Sequence, residues 1–246
     1  MKVLPPTTAP PKEPHWRRHQ PPKATGMRGY KSYQECLRWE FGFSCAFCLL
    51  HEHDILAEGD DKWGVWTIEH FVLKSDDTAR ANAYSNCYWC CRRCNLNRGR
   101  RSIKAPGGNL LDPCAHAWSD RFRLKDHRLE LRNRRDRDAQ RTWSVYDLDD
   151  PGKVKRRQKR REALDDAVAL WHEVHHTWSR LSPTDPSFHE DVRTLQRNER
   201  LAKRILLRYI AIPESATDPC RCGSSEDCRL PTWLDDQCTD LGQSLE

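Results

Sequence analysis

No run of about 18 consecutive apolar residues occurs in the 246-residue chain, which argues against a membrane span. The N-terminus carries no apolar segment of the kind that directs secretion, so a cytoplasmic location is expected. Apolar residues are scarce. Mean hydropathy is −0.91 and 32% of residues are charged, so any core is modest and needs help to close. Internal repeats are absent, so no repeat architecture is expected. Cysteine is not scarce, for the chain has 12. In a secreted protein a shorter chain with evenly spread cysteines would be expected. Here Cys45-Ala46-Phe47-Cys48 and Cys91-Arg92-Arg93-Cys94 form close pairs, which reads as metal binding rather than as disulfides.

Zinc takes four soft ligands in a tetrahedron, and a CxxC turn presents two thiolates with little strain. Cys45, Cys48, Cys91 and Cys94 supply two such turns, and a structural Zn2+ there would brace elements too short to close a core alone. A second register is open, because Cys87-Tyr88-Trp89-Cys90 is also a CxxC. Cys220, Cys222, Cys228 and Cys238 offer a further candidate zinc site near the C-terminus.

Between the two knuckles lies Thr67-Ile68-Glu69-His70-Phe71, with Asn86 and Asn95 further on. A neutral imidazole is the natural base at cytosolic pH, which makes His70 the candidate to activate a water. Glu69 and Asn95 offer hard oxygen ligands of the kind Mg2+ or Mn2+ accepts. Adjacent strand residues point to opposite faces, so Glu69 and His70 can serve one site only where the strand bends or ends.

The net charge of +6 hides an asymmetry. Residues 91–161 hold 22 Lys/Arg against 9 Asp/Glu, whereas residues 214–246 hold 2 Arg against 8 acids. A basic stretch that begins inside the candidate site suits a polyanion, most simply DNA. Lys74, Arg92, Arg93, Arg98, Arg100 and Arg101 are the candidates for phosphate contact. Arg98 follows Asn95 by about one helical turn, so the two can share a face.

Patterning divides the chain into four parts. Residues 1–28 carry seven of the 15 prolines and read as a flexible basic arm, with His15-Trp16-Arg17-Arg18-His19 available to a partner. Residues 29–150 form the domain that holds the motifs. A short helix is expected over 32–42, a strand over 63–71, a polar connector over 74–84 and a helix over about 88–101. Pro106-Gly107-Gly108-Asn109 stops that helix. Strands of one hairpin are expected at 121–131 and 142–148. Apolar residues at three- and four-residue steps then predict helices over 154–181 and 188–212, an antiparallel hairpin suited to a partner protein or a second copy. Residues 213–246 are an acidic, cysteine-bearing tail. His51 and His53 read as surface-loop residues, and His172, His175 and His176 as helix-surface residues.

Over roughly residues 40–165 the chain resembles the HNH endonucleases, whose site is a ββα-metal motif. The likeness rests on Cys45-x-x-Cys48, Glu69-His70-Phe71 followed by Lys74-Ser75, Asn86, and Cys91-x-x-Cys94-Asn95-x-x-Arg98-Gly99. It is most similar to the zinc-containing branch with a Glu-His-Phe signature, found in many bacterial genome-defence and restriction-type nucleases. The resemblance implies an α+β fold, a zinc-braced ββα-metal core followed by a mostly helical C-terminal region. It also implies a metal-dependent hydrolase of DNA phosphodiester bonds in which Asn86 fixes the ring of His70. The long amphipathic helices and the arm motivate a further expectation, a nuclease gated by a partner such as an ATPase. The chain departs from the pattern at Val72-Leu73, where the family often has Arg-Pro, and at Arg98, where it often has Lys. A non-catalytic zinc-ribbon adaptor is the alternative reading.

Overall fold

The computed structural model describes residues 10–15, 17, 19–24, 29–56, 66–182, 184 and 186–210, with backbone alone at 55–56 and 203–210. The architecture is α+β: short helices and three two-stranded antiparallel sheets, followed by two long helices. Helix α1 (Gln34–Glu40) continues a 3-10 turn over Gly29–Tyr33 and leads into the first cysteine knuckle. A single turn, α2 (Glu52–Leu56), follows.

Strand β1 (Trp66–His70) pairs antiparallel with β2 (Cys87–Cys91), with Ile68 opposite Trp89 and His70 opposite Cys87. Helix α3 (Arg92–Arg98) starts at the next residue. The helix expected over about 88–101 is therefore shorter, and its first residues are strand. Tertiary burial decides this: all five residues of β2 are buried, and Trp89 stacks on Trp66 across the pair at 5.6 Å. The Cys91 sulfur accepts from the Cys94 backbone N–H at 3.5 Å and caps α3. Gly99 ends the helix at φ +50, a conformation glycine adopts without strain.

A small sheet of β3 (Lys104–Ala105) and β4 (Gly108–Asn109) precedes α4 (Trp118–Arg121). Strands β5 (Phe122–Lys125) and β6 (Arg128–Leu131) then close a hairpin on their own. Asp126 and His127 both have positive φ, the condition for the tight turn whose twist matches the strands. The strand expected at 142–148 is instead the end of α5 (Arg137–Val145) and the turn after it. Thr142, Val145 and Tyr146 are good strand formers. However, Asp136 caps the helix by accepting from Ala139, and Ala139, Thr142 and Val145 turn inward at three-residue steps.

Helix α6 (Pro151–Trp178) is capped by Asp150, whose Oδ1 accepts from the Lys153 N–H at 3.1 Å. Helix α7 (Phe188–Ile210) packs along it, burying Leu164, Ala167 and Val174 of α6 and Leu195 and Ala202 of α7. The core lies elsewhere, around Leu37, Phe47, Tyr88, Trp118, Phe122 and Tyr146.

The N-terminal stretch expected to be a loose arm is seated on this core over its described residues. His15 N–H donates to the Pro113 carbonyl at 2.8 Å, and the His15 ring stacks on Phe41 at 4.5 Å. The Arg17 guanidinium lies 4.4 Å from the Tyr88 ring and donates to the Cys87 carbonyl at 2.8 Å. Cation–aromatic contact and backbone hydrogen bonds hold the segment although it lacks apolar periodicity. The acidic tail, with Cys220, Cys222, Cys228 and Cys238, lies outside the described residues.

Candidate functional site

The first constellation is the four-cysteine centre. Backbone bonds from Cys45 N–H to Leu50 O and from Ala46 N–H to Trp89 O, at 2.8 and 2.9 Å, shape the first knuckle and hold it against β2. Cys91 ends β2 and Cys94 sits in the first turn of α3. The four sulfurs of Cys45, Cys48, Cys91 and Cys94 lie within 4.8 Å of one another, and all four residues are fully buried. The competing register does not form: Cys87 faces His70 at 3.8 Å, and the Cys90 thiol donates to the Cys91 carbonyl at 3.4 Å. Burial opposes ionisation of these thiols, yet hydrogen bonds from neighbouring thiols pull Cys45 and Cys94 well below the ordinary range. Four soft donors converging in this way could hold a structural metal such as zinc.

The second constellation is the face between β1 and α3. Thr67 and Glu69 alternate onto one side of β1, and α3 is tied there by two rungs. Asn95 Nδ2 donates to Thr67 Oγ1 at 2.7 Å, and one turn later Arg98 Nε stands 3.8 Å from the Glu69 carboxylate. Arg98 Nη2 also donates to the Phe71 carbonyl at 3.1 Å. Asn95 and Arg98 thereby face the side of β1 that carries Thr67 and Glu69. One Asn95 amide hydrogen is engaged with Thr67, and its oxygen is the atom that can accept. Burial pushes Glu69 up to about 8, although Arg98 lowers it.

His70 is the last residue of β1 and lies on the opposite side from Glu69. Its Nε2 is 2.9 Å from the Ala81 carbonyl. A carbonyl only accepts, so Nε2 carries the proton and Nδ1 is the basic nitrogen of the neutral ring. The Tyr30 ring stands edge-on against His70 at 4.4 Å, and Lys74 lies over Tyr30 at 3.9 Å. Burial lowers His70 below the usual imidazole range, partly offset by the Ala81 bond.

Asn86 was expected to fix the His70 ring. No hydrogen bond joins the two. Asn86 Oδ1 accepts from Val72 N–H at 2.7 Å, and its Nδ2 donates to the Val72 and Arg80 carbonyls at 2.9 and 3.2 Å. It staples the loop after His70, the loop that carries the Ala81 carbonyl bonded to the imidazole.

The basic residues separate into two groups. Lys74, Arg92, Arg100 and Arg101 are exposed, and Arg93 is exposed while reaching Asp150 at 3.3 Å. Arg98 is 0% exposed, so it cannot touch a phosphate from solution; its place is inside, against Glu69. The basic start of α6 is also misjudged by charge counting. Lys153, Arg156, Arg157 and Arg160 recur at three- and four-residue steps and are all buried. Meanwhile Arg193, Arg197 and Arg200 of α7, which the sequence reading passed over, are exposed along a groove of about 510 Å³. Their one-turn spacing was the available signal.

His51, expected in a surface loop, is buried, and its backbone N–H donates to Asp54 at 2.8 Å. Arg160 pairs with the same carboxylate at 3.2 Å. Burial, with Arg160 and His53 adding to it, lowers His51 from 6.5 to about 3. The folded state thus favours the neutral ring. Its stabilisation is complete above pH 6.5 and is lost as pH falls toward 3, at up to about 1.4 kcal/mol per pH unit. The melting temperature of wild type should fall more steeply than that of His51→Gln between pH 6.5 and 4. Parallel curves would show that His51 does not titrate with unfolding.

Fold and site define a mixed α+β protein organised around a buried four-cysteine centre. No family model matches the chain, and neither a curated protein nor a solved structure matches it.

Proposed function

We propose that the protein is a metal-dependent endonuclease of the ββα-metal (HNH) type that hydrolyses DNA phosphodiester bonds, as the nuclease component of a bacterial defence or restriction system. The observation that supports this reading is the pair of rungs joining α3 to β1, Asn95 to Thr67 and Arg98 to Glu69, at the end of the strand that carries His70. The Glu69 carboxylate and the Asn95 amide oxygen are hard donors, and the residues fit a cation of the magnesium class. Such a cation would neutralise charge on the scissile phosphate and the leaving 3′ oxygen.

The chain's own groups do the rest. His70 takes a proton from the attacking water at Nδ1, because Nε2–H is committed to Ala81. Asn86 and the loop it staples keep that nitrogen aimed, as outer partners of a catalytic or metal site do. Arg92, Arg100 and Arg101 extend the exposed basic surface around α3 toward a phosphate backbone. By the resemblance, the products carry 5′-phosphate and 3′-hydroxyl ends.

One observation favours the second reading, a zinc-ribbon adaptor that binds nucleic acid without cutting it. Glu69 is buried beside Arg98, which already supplies a counter-charge. Incubation of the protein with supercoiled plasmid in Mg2+ or Mn2+, and in EDTA, separates the two. The nuclease reading expects nicked or linear products that depend on the added cation. Plasmid that is bound but never cut under any divalent ion leaves the adaptor.

A further inference from the structure

Lys153 and Arg157, one turn apart on α6, are both 0% exposed. Among the described residues neither is ion-paired with a carboxylate. Lys153 Nζ donates to the carbonyls of Tyr146 and Asp147. Arg157 donates to the carbonyls of His127, Cys48 and Leu148 at 3.2, 3.0 and 3.2 Å. The nearby acids are otherwise engaged. Asp150 caps the Lys153 backbone and reaches Arg93, and Asp54 holds Arg160. Asp54 acts on Arg157 through space without a direct bond; a buried cation without a paired counter-ion is unfavourable, which calls for a further anion beside these two.

The four-cysteine centre is next to both. Arg157 bonds the carbonyl of Cys48, one of its members. Lys153 bonds the Tyr146 carbonyl, which also lies 3.9 Å from the Cys94 sulfur. A divalent ion in four thiolates carries a formal charge of minus two, and Lys153 and Arg157 together carry plus two. We propose that Lys153 and Arg157 are the counter-charges of the four-cysteine centre, which they set to hold a divalent ion as a tetrathiolate, and that the start of α6 is therefore part of that centre. Burial alone would lower both groups; the Cys94, Cys48, Cys91 and Cys45 sulfurs more than reverse this at Lys153, whereas at Arg157 burial prevails although Cys48 and Cys94 oppose it. Lys153 and Arg157 are thus matched to sulfur and are unavailable to nucleic acid.

Lys153→Met and Arg157→Met keep much of the stem volume and delete the charge, and Arg157→Lys keeps the charge. Zn2+ affinity is measured by competition with a chromophoric chelator. Each Met variant should bind Zn2+ about 10- to 100-fold more weakly, the range seen when outer partners of a metal site are lost. Arg157→Lys should stay within about threefold of wild type. The zinc-bound thiolates of the Met variants should also react faster with iodoacetamide, since a neighbouring cation no longer draws on the sulfur charge. Leu164→Ala, a packing change on the same helix, serves as control: it should lower the melting temperature and leave zinc affinity unchanged. If the Met variants behave as Leu164→Ala does, the counter-charge role is overturned. Should Lys153→Met fail to fold, Arg157→Met against Arg157→Lys decides. A wild-type protein that binds no Zn2+ would overturn the metal centre itself, a result distinct from the failure of the charge argument.

Discussion

Removing zinc with a strong chelator, or replacing Cys94 with Ser, should unfold the region built on β1, β2 and α3. Structural zinc in small domains contributes roughly 10–16 kcal/mol of apparent binding energy. That is comparable to or larger than the whole stability of a typical domain, about 5–15 kcal/mol. The alternatives to metal closure are few here. β1 and β2 form a two-stranded sheet of five residues each, and an isolated pair of that size is marginal in water. The Cys45–Cys48 knuckle, β2 and α3 meet at the four sulfurs, so loss of the ion releases all three elements together.

The check is near-ultraviolet circular dichroism, because Trp89, Tyr88 and Trp118 pack in this core and report its rigidity. The signal should collapse in chelator and return with added Zn2+. Elemental analysis should find about one equivalent bound to the four-cysteine centre. Cys114→Ser, a change at a partly buried cysteine outside the cluster, should leave both signal and zinc intact. An unchanged spectrum and melt in excess chelator would remove metal from the account of the fold.

The second large effect concerns His70. If the nuclease reading is right, His70→Ala should lower plasmid cleavage by about 10²- to 10⁴-fold, the usual worth of a positioned general base. Zinc content, near-ultraviolet signal and DNA retention should stay near wild type. Glu69→Gln and Asn95→Ala should lower cleavage with a raised requirement for Mg2+, since they alter the donors and leave the base. Asn86→Ala should reduce cleavage less than His70→Ala, because it acts through the loop that carries Ala81. Wild-type rates from His70→Ala would dismiss the imidazole as the base, while cleavage unaffected by all four changes would place the activity elsewhere.

Much of the four-cysteine centre was legible in the sequence because CxxC spacing is local. Two thiolates three residues apart converge in almost any turn, so Cys45, Cys48 and a second pair could be named without a fold. The second pair was read as Cys91/Cys94, with Asn95 directly after the knuckle, while the adjacent Cys87/Cys90 stayed open as an alternative. The antiparallel pairing of β1 with β2 decided it by leaving Cys91 at the strand end and Cys94 in the following turn. The long helices α6 and α7 were legible for a similar reason, since apolar recurrence over many turns has one simple explanation. β2 was not, because a five-residue buried run beside a helix looks alike in either conformation. Residues 142–148 misled through strand-forming side chains that a capped helix overrode.

Charge was the poorest guide. A count of Lys and Arg treats each as a solvent-facing group. Arg98, Lys153 and Arg157 have the same charge as Arg92 and Arg100, yet the first three are fully buried and the last two exposed. From the amino-acid order alone came the thiolate pairs, the Glu69-His70 pair with its asparagines, and the two long helices, all of which depend on spacing within a few residues. Tertiary structure decided which cysteines meet, that Arg98 faces Glu69, that Asn86 holds a loop, and that the start of α6 is seated against the first cysteine knuckle. Those are contacts between segments far apart in sequence, and a buried charge acquires its role from whatever opposite charge the fold brings beside it.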